Sequence, residues 1–277
     1  MAKALGIIGN IKGKVGNVVG YNLTDSNNKQ TQGLRVYQPN VKNPKTAAQA
    51  EQRAKLAPIN ATYRALKMII DRGNEGLPYG NKSRLAWLKM AFNAEHMPWF
   101  TKGSTVDWPL GCQLTKGSLP GITYQVMDDD LIVECQGVTS QSTIATVGAL
   151  STALLAAWTD LKAGDQITFV RVGSMNGALT SQIDSVVIDT TSSEAIDFIL
   201  PRDNKISLKS SITVYAGTVI ISREGNDGEH LRSTSMLKVD DNLAGSMPYD
   251  SDSKSAAIES YMASGSANTD WAEESIQ

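Results

Sequence analysis

The stretch Ile122-Thr-Tyr-Gln-Val-Met-Asp-Asp-Asp-Leu-Ile-Val-Glu-Cys135 decides the fold. Two short runs, Ile122–Val126 and Leu131–Cys135, are rich in β-branched and aromatic residues, and they flank Asp128–Asp130. That pattern predicts a β-hairpin. The three aspartates read as a solvated turn, since the spacing and distal Glu of an EF-hand calcium loop are missing. Downstream, strands are expected over Ile144–Leu150, Ile167–Val172, Ile183–Asp189, Ala195–Leu200, Ile212–Ser222 and Arg232–Val239. Turn signals separate them at Ala163-Gly-Asp165, Pro201-Arg-Asp-Asn204 and Gly225-Asn-Asp-Gly228. Leu154–Leu161 fits a strand or a short helix equally well. About seven short strands over residues 118–240 predict an antiparallel sandwich of the immunoglobulin/fibronectin type.

Upstream, residues 46–117 read as a small helical module. Thr46-Ala-Ala-Gln49 matches a capping box, and Pro58 is expected to end or kink the first helix. Ile59, Tyr63, Leu66 and Ile70 fall on one helical face. A third helix is expected from about Ser83, with Leu85, Leu88 and Phe92 inward. Trp87, Trp99 and Trp108 read as packing residues before stacking platforms. The fold class is therefore α+β, mainly β.

Residues 1–45 read as an extended basic arm. Glycines at 6, 9, 13, 16, 20 and 33 would destabilise a helix by about 1 kcal/mol each. Their spacing is not a dinucleotide fingerprint, and no Gly-Lys-Ser/Thr of a P-loop follows. Gly13, Gly16 and Gly20 are expected to let the backbone approach another surface. Ile, Val and Tyr among the lysines favour an arm that orders on a neighbour over a purely solvated tail.

Charge divides along the chain. Residues 1–103 carry 16 Lys/Arg against 5 Asp/Glu, a net of +11, whereas residues 104–277 carry 10 against 23, a net of −13. A sign change of this size points to two different partners or to self-assembly. Lys12, Lys14, Arg35, Lys42 and Lys45 in the arm, with Arg53, Lys55 and Arg64 on the first helix, are the candidate contact residues. Residues 241–277 form an acidic, Ser- and Ala-rich tail, in which Ala256–Met262 fits a short amphipathic helix and Trp271 fits a docking anchor.

The chemistry-bearing residues are sparse. Cys112 and Cys135 read as unpaired structural thiols ahead of a disulfide. His96 and His230 have no second ligand at zinc spacing. No nucleophile or metalloprotease motif organises Ser, Asp and His into a catalytic group. The expectation is a non-enzymatic protein with no cofactor and no metal. No apolar run approaches the roughly 20 residues of a membrane span, and no export signal is read, so synthesis in the bacterial cytoplasm is the expectation.

Gly13-Lys-Val-Gly-Asn-Val-Val-Gly20, followed by Asn43-Pro-Lys-Thr-Ala-Ala-Gln49 and Gln52-Arg53, resembles an uncharacterised family common in Bacteroidota and their mobile elements. Its members open with such a glycine-rich arm, continue with an Asn-Pro-x-Thr helix start and end in a β-sandwich. Trp158 with Asp165-Gln-Ile-Thr-Phe169, and Ser233-Thr-Ser235, are similar to that sandwich. The acidic extension departs from it. The resemblance implies an architecture rather than an activity, and its phage associations favour a virion component. The leading expectation is a structural, assembly-type virion protein that partners with copies of itself or with other virion proteins. A nucleic-acid-binding protein using the basic N-terminal region, packaged nucleic acid included, is the alternative, and a carbohydrate- or surface-binding sandwich is a third reading.

Overall fold

The computed structural model describes residues 13–24, 30–37, 46–138, 144–202, 204–225, 230–240, 242 and 248–263. Among the described residues helix makes up 27% and strand 36%, the sheets mostly antiparallel, so the α+β, mainly β class holds. The chain divides into two compact units, residues 1–45 and 46–277.

In the first unit the expected extended arm folds back twice into a three-stranded antiparallel sheet, β1 (Gly13–Val15), β2 (Val18–Thr24) and β3 (Gln30–Val36). Gly16 and Asn17 form a two-residue loop between the paired Val15 and Val18, with Gly16 at φ +59°. A glycine at the first central position is what a tight hairpin loop of the II′ kind requires. A Cβ built at Gly16 would meet nothing within 4 Å, so within the chain it is the turn that calls for glycine there.

The second unit begins with α1 (Ala47–Ala65), α2 (Lys67–Ile70) and α3 (Asn81–Ala91). Thr46 caps α1, its Oγ1 accepting the Gln49 N–H at 3.3 Å. Pro58 neither ends nor splits this helix. A proline inside a helix costs about 3 kcal/mol, and the buried face of Ala50, Ala54, Pro58, Ile59 and Thr62 offsets that cost by packing along the whole length. On α3 the fully buried residues are Ser83, Trp87 and Ala91; of the expected inward residues Leu88 and Phe92 pack, partly buried, against the same core, whereas Leu85 is exposed.

The remaining elements are β4 (Gln113–Thr115), β5 (Tyr124–Met127), β6 (Asp130–Glu134), α4 (Val147–Ala157), β7 (Gln166–Met175), β8 (Ala178–Val187), β9 (Ile199–Arg202), β10 (Lys205–Leu208), β11 (Thr213–Glu224), β12 (His230–Arg232), β13 (Ser235–Met236), β14 (Lys238–Val239) and α5 (Ser251–Ala263). Four hairpins alternate between two sheets. One sheet has the order β5-β6-β10-β9 and the other β12-β11-β7-β8, with β14 also on β11. This is the strand order of an immunoglobulin-type sandwich, four strands ABED facing C′CFG. The paired cysteines of antibody domains have no counterpart: Cys135, just after β6, is buried and free, as is Cys112.

The expected strand Ile144–Leu150 is instead the start of α4. Thr146 caps it, accepting the Ala149 N–H at 3.3 Å, and Val147, Leu150, Ser151 and Leu154 are buried at i, i+3, i+4 and i+7. The same helix resolves Leu154–Ala157.

Three layers result. Ile167 and Phe169 of β7, with Val214, Val219 and Ile221 of β11, face the four-stranded sheet and share a core with Leu131, Val133 and Ile206. Val170 and Val172, with Ala216 and Ile220, face the helices and share a second core with Ile59, Leu66, Ile70 and Trp87. A register shift between Val214 and Ala216 moves β11 from one parity to the other. The five-stranded sheet is covered on both sides, so the helices of residues 46–117 and the sandwich belong to one unit. Helix α5 adds to the second core through Ala257, beside α1.

Candidate interaction surfaces

Strand register sorts the residues of the N-terminal sheet. Directly paired residues share a face, and the faces alternate along each strand. Val18 pairs with Val36 and Gly20 with Leu34, so one face carries Val18, Leu34 and Val36, of which Val36 is 72% exposed and Leu34 51%. Lys14 pairs with Val19 and Val19 with Arg35, so the other face carries Lys14, Arg35 and Tyr21. Lys14 Nζ sits 3.7 Å from the centre of the Tyr37 ring. The Tyr21 ring lies over Gly33, where a Cβ would come within 2.6 Å of it. Within this sheet the close approach is at Gly33, under the Tyr21 ring. Gly13 and Gly20 pair across β1 and β2. Lys12, Lys42 and Lys45 lie outside the described residues.

On α1, Arg53 and Arg64 are exposed and 11 residues apart, which places them on one side of the helix. Lys55 is engaged within the unit: its Nζ is 3.3 Å from Glu51, which also takes Lys254 of α5 at 3.0 Å, and both lysines lie over the Trp99 ring. Lys55 thus ties α1 to α5 and is a weaker candidate for contact than its neighbours. The expected basic stripe is shortened accordingly to Arg53 and Arg64, with Lys67 beyond the end of α1.

The sequence reading missed a groove of about 1060 Å³ in the second unit, between the loop that follows α2, the chain after β4 and strand β12. Tyr79 and His230 stack across it with ring centres 5.9 Å apart and planes 28° apart. The Arg72 guanidinium lies 5.5 Å from the centre of the Tyr79 ring. Lys89, Lys116 and Arg232 add positive charge to the lining, and Leu77, Ala86 and Met90 make it partly apolar. Glu75 fastens the three segments together. It accepts from the Ser118 N–H at 2.9 Å, the Ser118 hydroxyl at 2.8 Å and the Arg232 N–H at 3.0 Å. Partial burial alone would raise the Glu75 pKa, but these hydrogen bonds outweigh it and hold the carboxyl below its ordinary value. Gly117 permits the closure, because a Cβ there would fall 2.1 Å from the Arg232 carbonyl oxygen.

Burial pushes the Cys112 thiol up to about 12 and the Cys135 thiol up to about 11, so both are neutral near pH 7 and neither is poised as a thiolate. Among the described residues no three His, Cys, Asp or Glu side chains come together as metal ligands, and no helix is long and apolar enough to cross a membrane. A scan against family models finds no match, and searches of curated proteins and of solved structures find none either.

Proposed function

We propose that this chain is a non-enzymatic assembly protein, a component of a bacteriophage virion made in the bacterial cytoplasm, whose N-terminal unit docks on neighbouring subunits. The two-faced N-terminal sheet carries this reading. Val18, Leu34 and Val36 share one exposed face, and Lys14 and Arg35 share the other. Leu34 and Val36 are exposed on that face, and apolar patches rimmed by charge mark interaction sites. The +11 of residues 1–103 is nearly matched by the −13 of residues 104–277, which gives the basic face a complementary target on a second copy. The glycine-rich opening and the Asn-Pro-x-Thr helix start support the virion setting through the family they resemble.

The test is sedimentation velocity of the full chain with Lys12, Lys14, Arg35 and Lys42 all changed to Glu. Assembly should be lost while far-ultraviolet circular dichroism keeps its β signature. A variant that assembles normally and loses only DNA or RNA binding would overturn the reading in favour of the nucleic-acid alternative. That alternative draws on Arg53 and Arg64 on the outer side of α1, which would give binding that weakens steeply with salt and ignores sequence.

A further inference from the structure

We propose that the Tyr79–His230 groove receives the acidic, tryptophan-bearing segment 264–277 of a neighbouring copy; this rests on the assembly reading above. That segment, outside the described residues, reads Ser-Gly-Ser-Ala-Asn-Thr-Asp-Trp-Ala-Glu-Glu-Ser-Ile-Gln. It holds Asp270, Glu273 and Glu274 and no Lys or Arg, a charge of −3. The groove lining presents Lys89, Lys116 and Arg232 against Glu75, a charge of +2 before His230 is counted, with Arg72 beside the Tyr79 ring. Complementary charge of this kind sets partner and register.

The uncharged part of the groove matches as well. Leu77, Ala86, Met90 and the Tyr79 ring offer apolar and aromatic surface to an indole. Tryptophan seated in a pocket with a cationic rim is the usual form of an interface anchor. A nucleic-acid strand would meet the same Glu75, and the test below separates it from the peptide segment. Helix α5 is held on α1 through Lys254 and Glu51, and α1 is held to β8 by the Ser181 hydroxyl on the Ala65 carbonyl. The groove is on β12, at the opposite edge of the same sheet. Extended, the 14 residues of that segment reach up to about 50 Å, far enough for either groove, so the choice of a neighbouring copy rests on the assembly reading.

Charge exchange in the full chain tests the pairing by sedimentation velocity. Lys89→Glu with Lys116→Glu should weaken self-association by about tenfold or more, as should Glu273→Lys with Glu274→Lys. All four changes in one chain should restore association to within about threefold of the original. Trp271→Ala should weaken it without altering its salt dependence. Association that is intact in both pairs and in Trp271→Ala overturns the groove pairing and leaves the assembly reading standing. Loss in both pairs with no recovery in the combined chain also overturns it. So does unchanged association in the Lys89→Glu, Lys116→Glu chain with lost binding of a labelled single-stranded oligonucleotide, which assigns the groove to nucleic acid. A parent chain that is monomeric throughout removes both proposals.

Discussion

Arg223 grips Asp165 at two points, Nε 2.6 Å from Oδ1 and Nη2 2.7 Å from Oδ2. Asp165 is 1% exposed and also caps the turn before β7 by accepting the Lys162 N–H at 2.8 Å. The pair joins β11 to the entrance of β7, beyond the last ladder pair of the sheet. Removing Arg223 leaves a buried carboxylate with its charge uncompensated, so Arg223→Ala should destabilise the chain by about 2–3 kcal/mol. Asp165→Asn keeps the acceptor for Lys162, and its cost should overlap that of Arg223→Ala in a double-mutant cycle. Urea denaturation measures both. Additive losses would mean that the two side chains act independently.

Asp128 and Asp129 turn the hairpin between β5 and β6 with φ of 55° and 63°. Both central residues of a two-residue loop are thus left-handed, the I′ geometry in which glycine is favoured at the second position. Asp129→Gly should stabilise the chain by about 0.5–1 kcal/mol, raising the thermal midpoint, and Asp129→Val should lower it. A thermal midpoint that falls in the glycine variant would show that Asp129 makes a contact outweighing its backbone strain.

That hairpin was legible because both of its strands and its turn lie within fourteen consecutive residues. Asn176-Gly177, at φ 54° and 75°, is an equally strong signal between β7 and β8 and went unread. The reason is β8, which is half exposed along most of its length and shows little alternation. The first turn of α4 reads as a strand, and its end as either strand or helix, because the stripe Val147, Leu150, Ser151, Leu154 divides between two short segments. The helices of residues 46–117 were found, but not that they cover a sheet. The near-continuous burial of β7 records a second covered face, and a run of that kind has no period to read. The groove had no local signature at all, since Glu75 meets Ser118 and Arg232 across 43 and 157 residues of sequence. The two faces of the N-terminal sheet became visible only with strand register, which the glycine spacing does not reveal.

Glu75 predicts a response to acid. Its folded-state pKa lies below the ordinary 4.5, so the unfolded chain binds the proton first as pH falls. The stabilisation is present above about pH 4.5 and is lost as pH drops through the folded-state value. Ionised Glu75 also holds Ser118 and Arg232 in place, so the groove should loosen over the same interval. Glu75→Gln should flatten the acid limb of the stability curve below about pH 4.5. Denaturant midpoints at stepped pH measure it. An acid limb of unchanged slope in Glu75→Gln would assign the transition to other carboxylates.

The two faces of the N-terminal sheet predict two different losses. Leu34 and Val36 stand together on one face, and Lys14 and Arg35 flank Val19 on the other. If the apolar face is the one that seats on a neighbour, Leu34→Ser with Val36→Ser removes burial that does not depend on ionic strength. Exposing or burying such a side chain is worth about 1.5–3 kcal/mol, so association should weaken by at least tenfold at every salt concentration. Lys14→Glu with Arg35→Glu acts through charge at the rim. Its effect should be large at low salt and fade as the screening length shrinks from about 30 Å at 0.01 M to about 8 Å at 0.15 M. Sedimentation velocity of the two variants across that range separates the faces. Each variant keeps the pairing of β2 with β3, because the backbone ladder is untouched and all four residues are exposed. Equal salt dependence in both variants would mean that the sheet does not seat by one face, and loss confined to the charge variant would place the basic face, not Leu34 and Val36, against the partner.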